Sequence, residues 1–339
     1  MLLALLPLFA DDLAQGLAKI VDSKATVYVR SEIKSEEETK FRFTFLDTTG
    51  AVVGELITSD HVTDIRISPD GTMAFARSFR HEATEVPRND YVVANKAGEI
   101  ARLNDTKDSR AIWWQGGLLI YGARMPITAW APGADGKEWT QRVVSSRKVD
   151  TLLADPTGIW TEDVSGESRR MSKLVQLSTD GAEAKAISTS PDTHNLLQRI
   201  PESSTIFVNC LEDVNDDLSP VQRLSTWDMT TGTELVITKR MLFDMCVWVP
   251  AARQLGFLMQ IDERKQQMAF YSPSTGKRKT LGPDRLVYAS CAALNPDTAI
   301  VVASIDSVMR IYLMTPATGV VKELNLATVP SPDLVSSCR

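Results

Sequence analysis

"FTFLDTTGAVVGELITS", residues 43–59, sets a small polar turn ending in Gly50 between two apolar runs. A glycine directly after a polar pair suits a tight hairpin, because it accepts the positive φ that other residues resist. The layout recurs in "VVANKAGEIARL", "LVQLSTDGAEAKAIS", "TWDMTTGTELVIT", "FYSPSTGKRKTLG" and "YLMTPATGVVKELNL", with glycines at Gly98, Gly181, Gly232, Gly276 and Gly319. The successive gaps are 48, 83, 51, 44 and 43 residues. The doubled gap implies a further unit that lacks its turn glycine, and "TQRVVSSRKVDTLLA" at 140–154 is expected to supply it as two strands around "SSRK". Seven units of about 45 residues then fill the chain, and a period of this size with four strands per unit indicates a β-propeller.

Each unit carries an earlier hairpin as well. "VTDIRIS" and "MAFARS" flank "PDGT", and "LVYASCAAL" and "AIVVAS" flank "NPDT". Runs rich in Val, Ile, Tyr and Phe, with turn residues every few positions, predict an all-β chain. "SPDGTMAFARS" at 68–78, with "NPDTAIVVAS" at 295–304 as a weaker copy, resembles the WD-repeat-like modules of TolB-type β-propellers. The resemblance implies the fold and nothing about chemistry, since Pro and Asp-Gly shape a turn. The expected organisation is an N-terminal apolar extension (1–25), a seven-bladed propeller of four-stranded antiparallel blades (26–327) and a C-terminal tail (328–339). The first blade is expected to take its inner strand from "LAKIVD" at 17–22.

An apolar share of 43% and a charged share of 24% mark an ordinary globular chain rather than a disordered or membrane-embedded one. The net charge of −6 speaks against nucleic acid as the main partner, because phosphate binding needs a basic surface. Cys210, Cys246, Cys291 and Cys338 include no C-x-x-C pair, so they read as structural thiols. The run from Met1 to Ala10 is too short to span a bilayer, lacks a leading Lys or Arg, and is broken by Pro7. Leu5, Leu6, Phe9, Leu13 and Leu17 fall near helical spacing, so a segment packed on the propeller is expected. That reading fits a cytoplasmic protein; cleavage after Ala10 would instead make it periplasmic or secreted.

Catalytic signatures are missing. No G-x-S-x-G, G-x-x-x-x-G-K-[ST] or G-x-G-x-x-G occurs, and His61, His81 and His194 are not paired at ligand spacing. No cofactor is expected. The second-to-third strand connections are expected to be long at 34–40, 80–90, 125–139 and 212–220, and short in the remaining units. Loops carry variation and function on a rigid scaffold, so the side bearing these loops is the expected binding surface. Trp130 is the expected apolar anchor, with Glu36, Glu37, Glu38, Arg80, Glu82, Glu85 and Arg88 as a charged rim. The function these features suggest is a non-enzymatic interaction module or scaffold for a protein or peptide. The alternative is a propeller hydrolase or lactonase with a metal in its axial channel.

In "EDVNDDLSP" (212–220), Asp213, Asn215 and Asp217 alternate like the first half of a calcium loop. Leu218 stands where that loop needs glycine, and Leu224 where it needs a bidentate glutamate. Calcium is therefore expected to leave the melting temperature unchanged. A calcium-dependent rise that disappears in Asp213→Ala would overturn this, since a ligand of the native state must stabilise it.

Overall fold

The computed structural model describes residues 12–34, 39–80, 88–106, 109–133, 138–163, 173–188, 193–212, 221–262, 265–326, 329 and 331–338. Helix α1 (Asp12–Ile20) leads into β1 (Val27–Lys34), β2 (Thr39–Leu46) and β3 (Val52–Thr58). The second blade is β4 (His61–Ile67), β5 (Met73–Arg80), β6 (Arg88–Asn95) and β7 (Gly98–Thr106). The third is β8 (Arg110–Trp114), β9 (Gly117–Gly122), β10 (Met125–Pro132) and β11 (Trp139–Lys148). The fourth is β12 (Leu152–Asp155), β13 (Gly158–Asp163), β14 (Lys173–Leu177) and β15 (Glu183–Ser188). The fifth is β16 (Thr193–Arg199), β17 (Thr205–Glu212), β18 (Val221–Asp228) and β19 (Thr233–Thr238). The sixth is β20 (Met241–Val249), β21 (Gln254–Asp262), β22 (Lys265–Ser272) and β23 (Lys277–Leu281). The seventh is β24 (Tyr288–Asn295), β25 (Thr298–Ile305), β26 (Val308–Thr315) and β27 (Val320–Glu323), and β28 (Pro332–Ser337) follows it.

These strands form seven four-stranded antiparallel sheets, the all-β, seven-bladed β-propeller that the hairpin repeat predicts. Within each blade the strands run in sequence order, except that β28 takes the first place beside β1. Middle strands such as β9 and β25 are buried along most of their length, which is why "GLLIYG" and "AIVVA" are nearly unbroken apolar runs. Fourth strands such as β19 and β23 are largely exposed edges. Among the described residues no helix is long and apolar enough to cross a membrane.

The chain packs as two compact units. One holds the first, second and seventh blades. Here α1 lays Leu13, Leu17 and Ile20 on the core formed with Leu56, Ile65 and Val92. Complete burial of a residue such as Leu17 is worth roughly 1.5–3 kcal/mol. The helix stops at Asp22, whose φ of 63° is left-handed and whose N–H donates to the Gly71 carbonyl at 3.0 Å. Residues 17–22 are therefore not a strand, because their apolar positions follow the helical period rather than alternating. Leu5, Leu6 and Phe9 lie outside the described residues.

The strand missing from the first blade comes from the region expected to be a tail. Val29 pairs with Val335, the Cys338 N–H donates to the Thr26 carbonyl at 3.0 Å, and the Ile67 N–H donates to the Cys338 carbonyl at 2.6 Å. Arg30 holds Asp333 through a two-oxygen contact at 3.1 and 3.2 Å, and the Val335 N–H donates to Ser290 Oγ of β24 at 2.8 Å. The inner edge of β1 is thus paired rather than left open.

The other unit holds the third to sixth blades, and its first blade departs from expectation. Residues 125–132 are the third strand, 139–148 the fourth, and "SSRK" lies inside β11. The two strands approach each other at their ends, where the Gly133 N–H donates to the Glu138 carbonyl at 2.6 Å, and residues 134–137 lie outside the described residues. "APGADG" reads like part of a long insertion, while the exposed strand β11 lacks the alternation that would reveal it.

Gly50, Gly98, Gly181, Gly232, Gly276 and Gly319 all sit at third-to-fourth strand turns, with φ between 64° and 120°. Two of them separate conformational from steric need. At Gly276 a β-carbon would meet nothing within 4 Å, whereas at Gly181 it would lie 1.7 Å from the Val144 carbonyl oxygen of β11. Gly276→Ala should cost roughly 1–2 kcal/mol for the left-handed backbone alone. Gly181→Ala should cost more than about 4 kcal/mol, because backbone must also move. Equal shifts in chemical-denaturation midpoint would show that the close approach to β11 is not a constraint.

Candidate functional site

The expected loop surface is partly visible in the first unit. The connection after Lys34 joins the second and third strands of the first blade, and that after Arg80 does the same in the second blade. Two consecutive blades of this unit therefore have residues between those strands, as do the fourth blade at 164–172 and the fifth at 213–220, so the fourth connection, expected to be short, is the longest of them. Arg80 and Arg88 form the last register pair of β5 and β6. Glu36, Glu37, Glu38, Glu82 and Glu85 lie outside the described residues, as do Asp213, Asn215 and Asp217.

Trp130 does not belong to a loop. It lies on β10 between Leu118 of β9 and Gln141 of β11, half-buried, with its indole nitrogen enclosed. The β-carbon position of Gly117 would come within 2.1 Å of its carbonyl oxygen, which shows how tightly the two strands are laid together there. Trp130 is a packing residue, and the expectation of a tryptophan anchor among the loops fails with the reassignment of β10. Trp114 is buried.

Thiol and imidazole chemistry find little support in the geometry. Cys210 and Cys338 are buried, and desolvation pushes the Cys291 thiol up to about 12. His61 packs edge-on against Phe41 at 5.6 Å. His194 pairs in register with Cys210, and His81 lies outside the described residues. Among the described residues no three His, Cys, Asp or Glu side chains gather as a metal-ligand set.

Concave surface occurs in the second unit, at the end of the blades where first-to-second and third-to-fourth turns emerge. A cavity of about 230 Å³ lies between the fourth and fifth blades. Its wall is Trp160, on which the Arg199 guanidinium stacks 4.5 Å from the ring centre while pairing with Asp155. Lys185 Nζ donates to the Thr230 carbonyl at 2.7 Å, so both cations already have partners. Ser204 Oγ donates to Asp228 at 2.7 Å, as does the Thr230 N–H, tying the turn before β17 to the turn after β18. These bonds, the Ser204 hydroxyl first, hold the Asp228 carboxyl below the usual carboxylate range.

A larger cavity of about 340 Å³ lies between the fifth and sixth blades and shares Ser203 with the first. Trp248 and Tyr271 form its apolar wall, backed by Phe207, whose ring centre is 6.0 Å from that of Trp248 and 6.3 Å from that of Tyr271. Burial raises the Tyr271 hydroxyl above its ordinary value, so it stays a neutral donor. Ser203, Thr205 and Thr226 contribute hydroxyls, and among the described residues Arg253 is the one ionised residue that lines the cavity. No local motif marks these residues, since they come from four separate strands and two turns.

No protein-family model matches the chain, and no curated protein matches its sequence. Solved structures do match. Prolyl oligopeptidase B from Galerina marginata is 13% identical with a TM-score of 0.57, covering 96% of this chain and 53% of that one. A candidate 6-phosphogluconolactonase from Bacteroides uniformis is 11% identical with a TM-score of 0.55, covering 93% and 100%. TolB from Acinetobacter baumannii is also among the similar chains, at 11% identity and a TM-score of 0.47, covering 91% and 82%. At identities this low the likeness is one of fold, the β-propeller that the hairpin turns imply.

The Asp228 bonds carry a pH signature. A carboxyl lowered in the folded state adds stability above its unfolded value, and that stability is lost as pH falls through the folded value. Asp228→Asn should melt below wild type at neutral pH, and the difference should shrink on acidification from about pH 5 to pH 3. A difference that stays constant across that range would remove Asp228 from the interaction.

Proposed function

We propose that this propeller is a non-enzymatic binding module that serves as a scaffold for a protein or peptide partner. The surface it uses is the side carrying the long second-to-third strand connections of the first and second blades. One observation carries the reading: two consecutive blades of the same unit both extend the connection that emerges at this end, after Lys34 and after Arg80. In sequence these connections bear Glu36, Glu37, Glu38, Glu82 and Glu85, with Arg80 and Arg88 at the base of the second. Charges in such positions steer encounter and select partners more than they hold the complex. Trp130, being a strand residue, has no part in this surface. The competing reading, a propeller hydrolase or lactonase with a metal-dependent site, predicts hydrolytic turnover that depends on added metal.

The test compares partners captured from lysate of the native cells by the wild-type chain and by a variant with Gly-Ser residues at 35–38 and 81–87. The loop variant should keep its melting temperature and lose the captured partner. Glu36→Lys, Glu37→Lys and Glu38→Lys combined should slow association about tenfold at low salt, with dissociation nearly unchanged. A partner held equally by the loop variant would overturn the proposal.

A further inference from the structure

The sixth blade carries a net positive charge, as does the third, whose residues 109–149 hold six Lys or Arg and two Asp or Glu. Residues 239–287 contain nine Lys or Arg (239, 240, 253, 264, 265, 277, 278, 279, 285) and four Asp or Glu (244, 262, 263, 284). That is a net +5 within a chain of net −6, so the remaining residues sum to −11. Several of these cations are already engaged. Arg240 donates to the Ile261 carbonyl at 2.9 Å, Arg278 reaches the Ile237 carbonyl at 3.5 Å, and Lys265 pairs with Asp284 at 3.5 Å. The side chains of Arg253 and Lys277 are exposed and, among the described residues, have no hydrogen bond or ion pair.

Arg253 lines the cavity between the fifth and sixth blades, and Lys277 adjoins a turn that does. Arg253 lines it from the turn between β20 and β21. Lys277 follows the Pro273–Gly276 turn, whose Pro273 and Ser274 line the same cavity. Among the described residues no carboxylate lines the cavity, and Glu234, beside Leu235 in sequence, is held by Arg223 at 3.1 Å and by Ser225 Oγ at 2.6 Å. The neighbouring cavity differs, because its Arg199 is neutralised by Asp155 and Glu202 stands at its rim. The hydroxyls of Thr205 and Thr226 can donate to an anion, and Leu235, 57% exposed, offers apolar contact at the mouth.

We infer that the sixth blade is a receptor for an acidic segment of a partner protein. The cavity it forms with the fifth blade takes a Glu or Asp side chain of that segment, with Arg253 as counter-ion and Lys277 beside it. The guanidinium fork matches a carboxylate through two parallel N–H bonds, and apolar residues flanking the acid would rest on Leu235 and the wall of Trp248 and Tyr271. Arg253 and Lys277, at the turn end of the blade, attract an anionic segment before it docks, while Lys239, Arg240, Lys265 and Arg285 stand toward the opposite end.

The experiment uses the full chain and a fluorescently labelled, end-capped octapeptide alternating Leu and Glu, followed by anisotropy. Its analogue with Gln for Glu, a single-stranded DNA oligonucleotide and phosphatidylserine vesicles are measured beside it. The Glu peptide should bind at least about tenfold more tightly than the Gln peptide, and more tightly than DNA or vesicles. Arg253→Gln and Lys277→Gln should each weaken it about fivefold or more without lowering the melting temperature, and Arg253→Lys should retain part of the affinity. Equal binding of the Glu and Gln peptides, no measurable binding, or affinity indifferent to Arg253 and Lys277 would each overturn the inference. Preference for DNA or for vesicles would overturn the assignment to a protein segment.

Discussion

The antiparallel ladder between β1 and β28 joins residues some three hundred positions apart, with Arg30 and Asp333 separated by 303. Without it the first blade would have three strands, and β1 would present unpaired N–H and C=O groups at an edge otherwise buried against Ser290 and Ile67. The apolar cluster of Val27, Val29, Ile300 and Val302 also takes Val335 from this strand. A contact of such sequence separation is entropically dear to form and returns its gain only once both ends of the chain are folded. The first, second and seventh blades are therefore cooperative with the C-terminal residues.

The remaining blades are held by a more local logic. Each is a run of hairpins, and at several an Asp side chain accepts from the turn backbone, as Asp180 does from the Ala182 N–H and Asp228 from the Thr230 N–H. Hydrogen bonds of this kind keep such carboxyls below their ordinary range, as at Asp47, Asp70 and Asp180. Acidic residues that might be taken for catalytic groups are thereby committed to shaping turns. Aromatic side chains such as Phe207 and Trp248 then fill the space between neighbouring blades.

This division of labour separates two kinds of surface. Lengthened second-to-third connections add material beyond the strands, and their chemistry can vary without disturbing the ladders. The cavities of the second unit are instead made by the blades themselves, from strand residues that also pack the core. A side chain such as Arg253 gains its position from the turn between β20 and β21, where its φ of 48° is left-handed. A proline there would disturb the turn, whereas Arg253→Gln keeps the turn's backbone demand and changes the cavity alone.

The amino-acid sequence by itself determined the hairpin repeat, the number of blades and the direction of each turn. These depend on local backbone preference, and a glycine after a polar pair carries its positive φ wherever it stands. Blade boundaries were less legible: β10 and β11 were hidden because a Pro- and Gly-rich turn resembles a long loop and an exposed edge strand does not alternate. Only the tertiary structure decided that residues 332–337 complete the first blade and that the helix at 12–20, legible from the spacing of Leu13 and Leu17, packs on Leu56, Ile65 and Val92. Only tertiary structure, too, brought Ser203, Trp248, Arg253 and Tyr271 to one cavity. Strand partnership and cavity walls are set by which edges and faces remain unfilled once the neighbouring blades have packed, and no short stretch of sequence contains that information.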